Sequence, residues 1–62
     1  MKNKMLQYFN YEHLPKKLQN ISKPFGELAF VLEVQLPDGP EKTMAFRKLL
    51  ESKDCAVRSA LD

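Results

Sequence analysis

From Leu14 onward the large apolar residues recur as Leu14, Leu18, Ile21, Phe25, Leu28, Leu32 and Leu36, at steps of 4, 3, 4, 3, 4 and 4. That spacing holds one face of an α-helix and comes close to the coiled-coil repeat. It predicts a helix over about residues 15–36. Pro15 suits the first turn, where its missing N–H would be unpaired in any case. Pro24 lies inside the stripe, where it removes one hydrogen bond and crowds the carbonyl four residues back. The stripe runs straight through it, so the pattern predicts one helix kinked at Pro24, with Gly26 easing the kink.

Leu36-Pro37-Asp38-Gly39-Pro40 reads as a compact turn. Pro40 suits the first position of a second helix, and Glu41 complements its dipole. That helix is predicted over about residues 40–61. It carries a small row (Ala45, Leu49, Ser52, Ala56, Ala60) beside a large one (Phe46, Leu50, Val57, Leu61). A single hairpin partner covers only one stripe, so two rows predict a further neighbour, most simply a second copy of the chain. Residues 1–13 form a polar and aromatic lead-in with room for a short helical turn. The predicted fold is all-α: a short N-terminal segment and two antiparallel helices, a kinked helical hairpin in one domain, assembled as a homo-oligomer.

Composition sharpens this picture. The chain has 62 residues, 44% of them hydrophobic, with one cysteine. A domain of this size buries only about 60% of the surface its unfolded chain exposes, and no disulfide or zinc cluster is available to brace it. Self-association is the expected source of the missing stability, and a deep monomeric active site is not expected. Ten Lys+Arg against eight Asp+Glu give a net charge of +2. Acids and bases alternate, without the dense basic stripe of a duplex-DNA binder, so no DNA partner is expected. No segment reads as a signal peptide or a membrane span, and a lone cysteine fits a reducing cytosol.

Candidate chemistry is sparse. His13 and Cys55 are the only residues of their types, and no orienting carboxylate makes a nucleophile of the pair. Cys55 reads as a small packing residue at a helix contact, and His13 as a contact beside the helix start. The spacings Lys23–Glu27, Arg47–Glu51 and Asp54–Arg58 predict surface ion pairs. No phosphate loop, metal motif or cofactor signature is present, so neither an enzyme nor a cofactor is expected.

A cluster of aromatics and cations is more informative. Tyr8, Phe9 and Tyr11 precede Lys16 and Lys17; aromatic faces stack on bases, and lysines bind phosphates. Phe9 and Tyr8 have the simpler use of folding back over the open end of the hairpin. Lys42, Thr43 and Arg47 stand in the first two turns of the second helix, where free amides attract anions.

Phe9-x-Tyr11, a Pro-containing segment, Ile21, Leu28-Ala29 and then Leu36-Pro37-x-x-x-Glu41-Lys42-Thr43-x-Ala45-Phe46-x-Lys48-Leu49-x-Glu51 together resemble a phage family. It is the family of small helical-hairpin cyclic-nucleotide sponges that blunt CBASS defence. The resemblance runs from Phe9 to about Ala60 and is most specific, and gapless, from Pro37 to Glu51. It implies a non-catalytic protein in the cytoplasm of an infected bacterial host. It further implies compact homo-oligomers, often hexamers, that hold cyclic dinucleotides between subunits and, in some members, cyclic trinucleotides at separate sites. By the same resemblance Tyr11 would stack on a base, with Lys16, Lys17, Lys23, Lys42, Thr43, Arg47 and Arg58 as further ligand-binding candidates. Two departures stand out. Ser22 occupies a position that is often basic, with Lys23 one step later. Cys55-Ala56-Val57 replaces a tryptophan-alanine-asparagine stretch, which leaves Arg58 as the basic residue nearest the far end. The alternative is a small helical interaction module, a phage-encoded adaptor or inhibitor that sets the same apolar face on a host protein.

Overall fold

The computed structural model describes residues 3–61. A 3-10 helix (Lys4–Phe9) precedes α1 (Lys16–Gln35) and α2 (Pro40–Leu61). The two long helices pack together in opposite directions: Glu33 meets Lys42, Ala29 shares the core with Phe46, and Ser22 lines one cleft with Val57.

Both helix ranges follow the sequence pattern to within a residue or so. Pro15 sits just before α1, and its carbonyl accepts from Leu18 N and Gln19 N, at 2.9 Å each. The helix continues through Pro24. Pro24 and Asn20, whose carbonyl loses its helical donor, are both exposed, so water can serve that carbonyl. At the other end Gly39 O accepts from Thr43 N at 3.1 Å and starts α2.

The core is small: Phe9, Ala29 and Phe46 are buried, with Met5, Leu6, Phe25, Leu32, Leu49 and Leu50 packed around them. The predicted stripe is half-buried apart from Leu28, with Phe25 and Leu32 packed on the core, and the two fully buried residues of α1 lie beside it. Leu28 is exposed, while Ser22 and Ala29 are fully buried. Ser22, Gly26 and Ala29 form a line of small residues at steps of four and three, and bulky groups from elsewhere settle into it. Gly26 therefore has a different use from easing a kink. A β-carbon placed there would lie 3.1 Å from the Phe9 carbonyl oxygen and 3.5 Å from the Tyr11 ring. Glycine is what lets the lead-in cross α1 this closely.

Part of the α2 rows, around Phe46, is covered within the same chain, while Leu61 at the far end is 66% exposed. The 3-10 helix packs on both α1 and α2 and brings Phe9 edge-on to Phe46. The apolar surface left open is mainly on α1 instead, where Phe30 and Val34 are 65% and 69% exposed and Leu28 and Val31 stand beside them. Cys55 is exposed, contrary to the packing role expected of it.

Lys42 is the polar anchor of the hairpin turn. It is only 9% exposed, and its ammonium lies 3.1 Å from carboxylate oxygens of both Glu33 and Asp38. It also donates to the carbonyls of Glu33 and Leu36, at 3.2 and 3.1 Å. Burial alone pushes the Lys42 ammonium down, but Glu33 and Asp38 outweigh it and raise its pKa above the ordinary value of 10.5. The Lys42 ammonium 3.1 Å from its carboxylate likewise holds Glu33 below the usual 4.5, against the upward push of burial and with smaller help from Asn3.

Candidate functional site

The lead-in is pinned before it reaches the site. Asn3 Oδ1 accepts from Met5 N at 3.0 Å and caps the 3-10 helix. Lys53 Nζ donates to the Tyr8 carbonyl and stands 5.8 Å from the centre of the Phe9 ring, with Asp54 3.7 Å away. After Phe9 the chain extends, then turns as Leu14 N donates to Tyr11 O at 3.0 Å. Gln19 Nε2 ties this turn to α1 by donating to the carbonyls of Glu12 and Leu14, at 3.1 and 2.8 Å.

Tyr11, half-buried, thereby becomes one wall of a cleft of about 460 Å³ between the lead-in and α1. Phe30 and Val31 line it from α1, Leu6 and Phe9 from the 3-10 helix, and Gly26 from the helix surface between them. The polar groups of its lining side chains are those of Asn10 and Glu27 and the Tyr11 hydroxyl. An apolar concavity of this size with few polar groups is the usual form of a small-molecule site.

A second cleft, of about 280 Å³, lies between the lead-in and the far half of α2. His13, Arg58, Lys53 and Asp54 line it together with Tyr8 and Ser22. The Ser22 hydroxyl is buried and has no hydrogen-bond partner among the described residues. Arg58 Nη2 donates to Cys55 Sγ at 3.2 Å.

The ligand-binding candidates are thus dispersed. Tyr11 is in the first cleft and Arg58 in the second. Lys23 is exposed on α1, one turn before Gly26 and Glu27, and lines neither cleft. Lys16 and Lys17 are exposed at the start of α1 and line neither cleft. Arg47 is exposed on α2 and also lines neither. Thr43 Oγ1 donates to the Gly39 carbonyl at 3.3 Å, a local helix-start bond. Lys42 is spent on the turn: two carboxylates neutralise its charge, so it is not a free phosphate ligand. None of the three surface ion pairs expected from spacing forms; Lys48–Glu51 at 4.0 Å and Lys53–Asp54 at 3.7 Å form instead.

Sequence reasoning did not single out Asn10, Glu27 or Phe30 for the first cleft. Phe30 carried a signal, being a large aromatic off the apolar stripe. Glu27 was set aside as half of an ion pair with Lys23. Among the described residues no group of three or more His, Cys, Asp or Glu side chains is placed to hold a metal. No helix there is long and apolar enough to cross a membrane.

Set against family models, curated proteins and solved structures, the chain matches none.

Proposed function

We propose that the protein is a non-catalytic sponge that binds cyclic di- and trinucleotide second messengers and withholds them from host defence effectors, in the cytoplasm of an infected bacterium. The observation that carries this reading is the place of Tyr11. The tyrosine that the resemblance to the phage sponges assigns to base stacking lines an open, mainly apolar cleft with two further aromatics, Phe9 and the exposed Phe30, in its wall. Stacking on an aromatic face tolerates any base and is worth about 1–3 kcal/mol per base. Lys23, one turn along α1 from the cleft residue Glu27, is the candidate cation nearest in sequence to the α1 wall, for a phosphate outside the cleft. Sequestration needs no chemistry beyond such a surface. Arg58 and His13 in the second cleft are the groups suited to a cyclic trinucleotide.

The open α1 face of Phe30, Val31 and Val34 supports assembly of several copies, because large exposed apolar patches mark interaction surfaces. The same face favours one alternative, an interaction module that docks on a host protein. Calorimetry with a panel of cyclic di- and trinucleotides decides between them, followed by heat release and chromatography of the bound ligand. The sponge binds and returns its ligand intact. Cleaved ligand means an enzyme, and the absence of binding leaves the interaction module.

A further inference from the structure

We infer that Glu27 makes the Tyr11 cleft selective for guanine over adenine, so that guanine-bearing cyclic dinucleotides are the preferred ligands; this rests on the sponge reading above. No cationic side chain among the described residues lines the cleft, whereas one carboxylate does. A phosphate is repelled there by Glu27 and finds apolar walls in place of water, so the part of a nucleotide that enters is the base. Glu27 is exposed and forms no ion pair among the described residues, Lys23 included. Its two oxygens are therefore free to accept, and a carboxylate has no donor to offer.

Bases differ in what they present to such a group. Guanine offers two neighbouring donors, N1–H and the exocyclic N2–H, pointing the same way, which a carboxylate accepts in a two-pronged bond. Adenine sets one N6–H donor beside the N1 acceptor, so one oxygen would face a lone pair. Cytosine has the same mismatch, and uracil holds a single N3–H between two carbonyls. A good two-pronged contact discriminates against the wrong base by about ten- to a hundredfold. Glu27 sits in water at the mouth of the cleft, which places the expected preference near the lower end.

The test is titration calorimetry of the wild-type protein and Glu27→Gln with cyclic di-GMP and cyclic di-AMP at one salt concentration, with helicity checked by circular dichroism. The wild type should bind cyclic di-GMP about tenfold more tightly than cyclic di-AMP, and the variant should lose that ratio. Removing a negative charge strengthens both anionic ligands by a common factor, so the ratio reads the base contact free of bulk electrostatics. A wild type with no preference for cyclic di-GMP, or a ratio that survives in the variant, overturns the assignment while leaving the sponge intact. A wild type that binds neither ligand overturns the sponge reading, and the base preference with it.

Discussion

The rings of Phe9 and Phe46 meet edge to face, with centroids 6.1 Å apart and planes inclined by 79°. This contact joins the 3-10 helix to α2 across the core, and both side chains are buried. Truncating a buried phenylalanine costs about 3–5 kcal/mol. A 62-residue chain has only about 3–9 kcal/mol of stability at the usual 0.05–0.15 kcal/mol per residue. Phe46→Ala is therefore expected to remove half or more of the chain's stability. Phe9→Ala should free the lead-in first, because the two long helices keep their own contacts. Far-ultraviolet circular dichroism during urea denaturation separates the outcomes; a Phe46→Ala variant that melts like the wild type removes this residue from the core.

The Lys42 anchor predicts a pH profile. Glu33 has a folded-state pKa below its ordinary 4.5, so its contribution is present above that value and is lost as pH falls through the lowered one. Lys42 has a folded-state pKa above its ordinary 10.5, so its contribution is complete below that value and is lost as pH rises through the raised one. Between these limits the anchor should make stability independent of pH. Lys42→Met keeps most of the side-chain packing but leaves Glu33 without its cation. Its melting temperature should fall at neutral pH, and the part of the acid loss due to Glu33 should vanish. Thermal melts from pH 3 to 7 for both proteins measure this; parallel curves would show that the pair is not coupled to folding.

The helices were legible in the sequence because their signals are local: apolar spacing, Pro15 and Pro40 at starts, Pro-Asp-Gly at the turn. What was not legible depends on long-range placement. The stripe counted bulky side chains, whereas the residues α1 buries fully are Ser22 and Ala29, with the half-buried Gly26 between them, and their value lies in what they allow to approach. Lys42 looked like an anion ligand because two of its partners, Glu33 and the Leu36 carbonyl, lie on the other side of the turn. Phe9 does fold back, because an aromatic in a short chain with little core has few other places to go. It lands on Ala29 and Phe46 in the half nearer the turn and not over the open end, and Tyr8 stays 54% exposed. Tyr11 was singled out as an aromatic of the lead-in and through a resemblance, while Phe30 and Glu27, which line the same cleft, lie off the apolar stripe and come beside it only through the path of the lead-in.

Gly26→Ala sets two effects against each other. Alanine gains about 1 kcal/mol in a helix interior relative to glycine. Its β-carbon would sit 3.1 Å from the Phe9 carbonyl oxygen, a backbone atom held by a buried side chain. Overpacking of this kind costs about 1–3 kcal/mol. A net loss of about 1 kcal/mol is expected from these two magnitudes. Weaker binding should accompany it, since the Tyr11 ring is the next group displaced. Denaturant midpoints and ligand titration check both. A stabilised Gly26→Ala would mean that the lead-in yields easily and that close approach is not what glycine provides.

The two apolar surfaces give opposite responses to charge. Leu49 packs on the core within the chain, so Leu49→Glu should unfold it, an unpaired buried charge costing several kcal/mol. Val34 is exposed, so Val34→Glu should leave the helices intact and disperse the proposed oligomer. Sedimentation at micromolar concentration reads the assembly, and circular dichroism reads the fold. A wild-type chain that sediments as a folded monomer would dispose of the assembly, and with it any site built between copies.

Tyr11→Ala is the substitution that weighs most on the proposed site. The ring is half-buried and borders the cleft from outside the central Phe9–Ala29–Phe46 cluster, so helicity and assembly should survive its loss. Affinity for a cyclic dinucleotide should fall by about ten- to a hundredfold, the worth of one stacking face. Tyr11→Phe keeps the ring and should bind nearly as well, unless the hydroxyl itself touches the ligand. Arg47→Ala serves as the counter-probe, because Arg47 lines neither cleft and its removal should change little. Lys23→Ala, one turn from the cleft residue Glu27, should weaken binding and flatten its salt dependence, as loss of one phosphate contact does. Calorimetry of the four variants at two salt concentrations yields a pattern that only one location satisfies. Loss with Arg47→Ala and not with Tyr11→Ala puts the ligand on α2 and moves the site away from the lead-in. Normal binding by all four rejects the placement of the ligand against Tyr11.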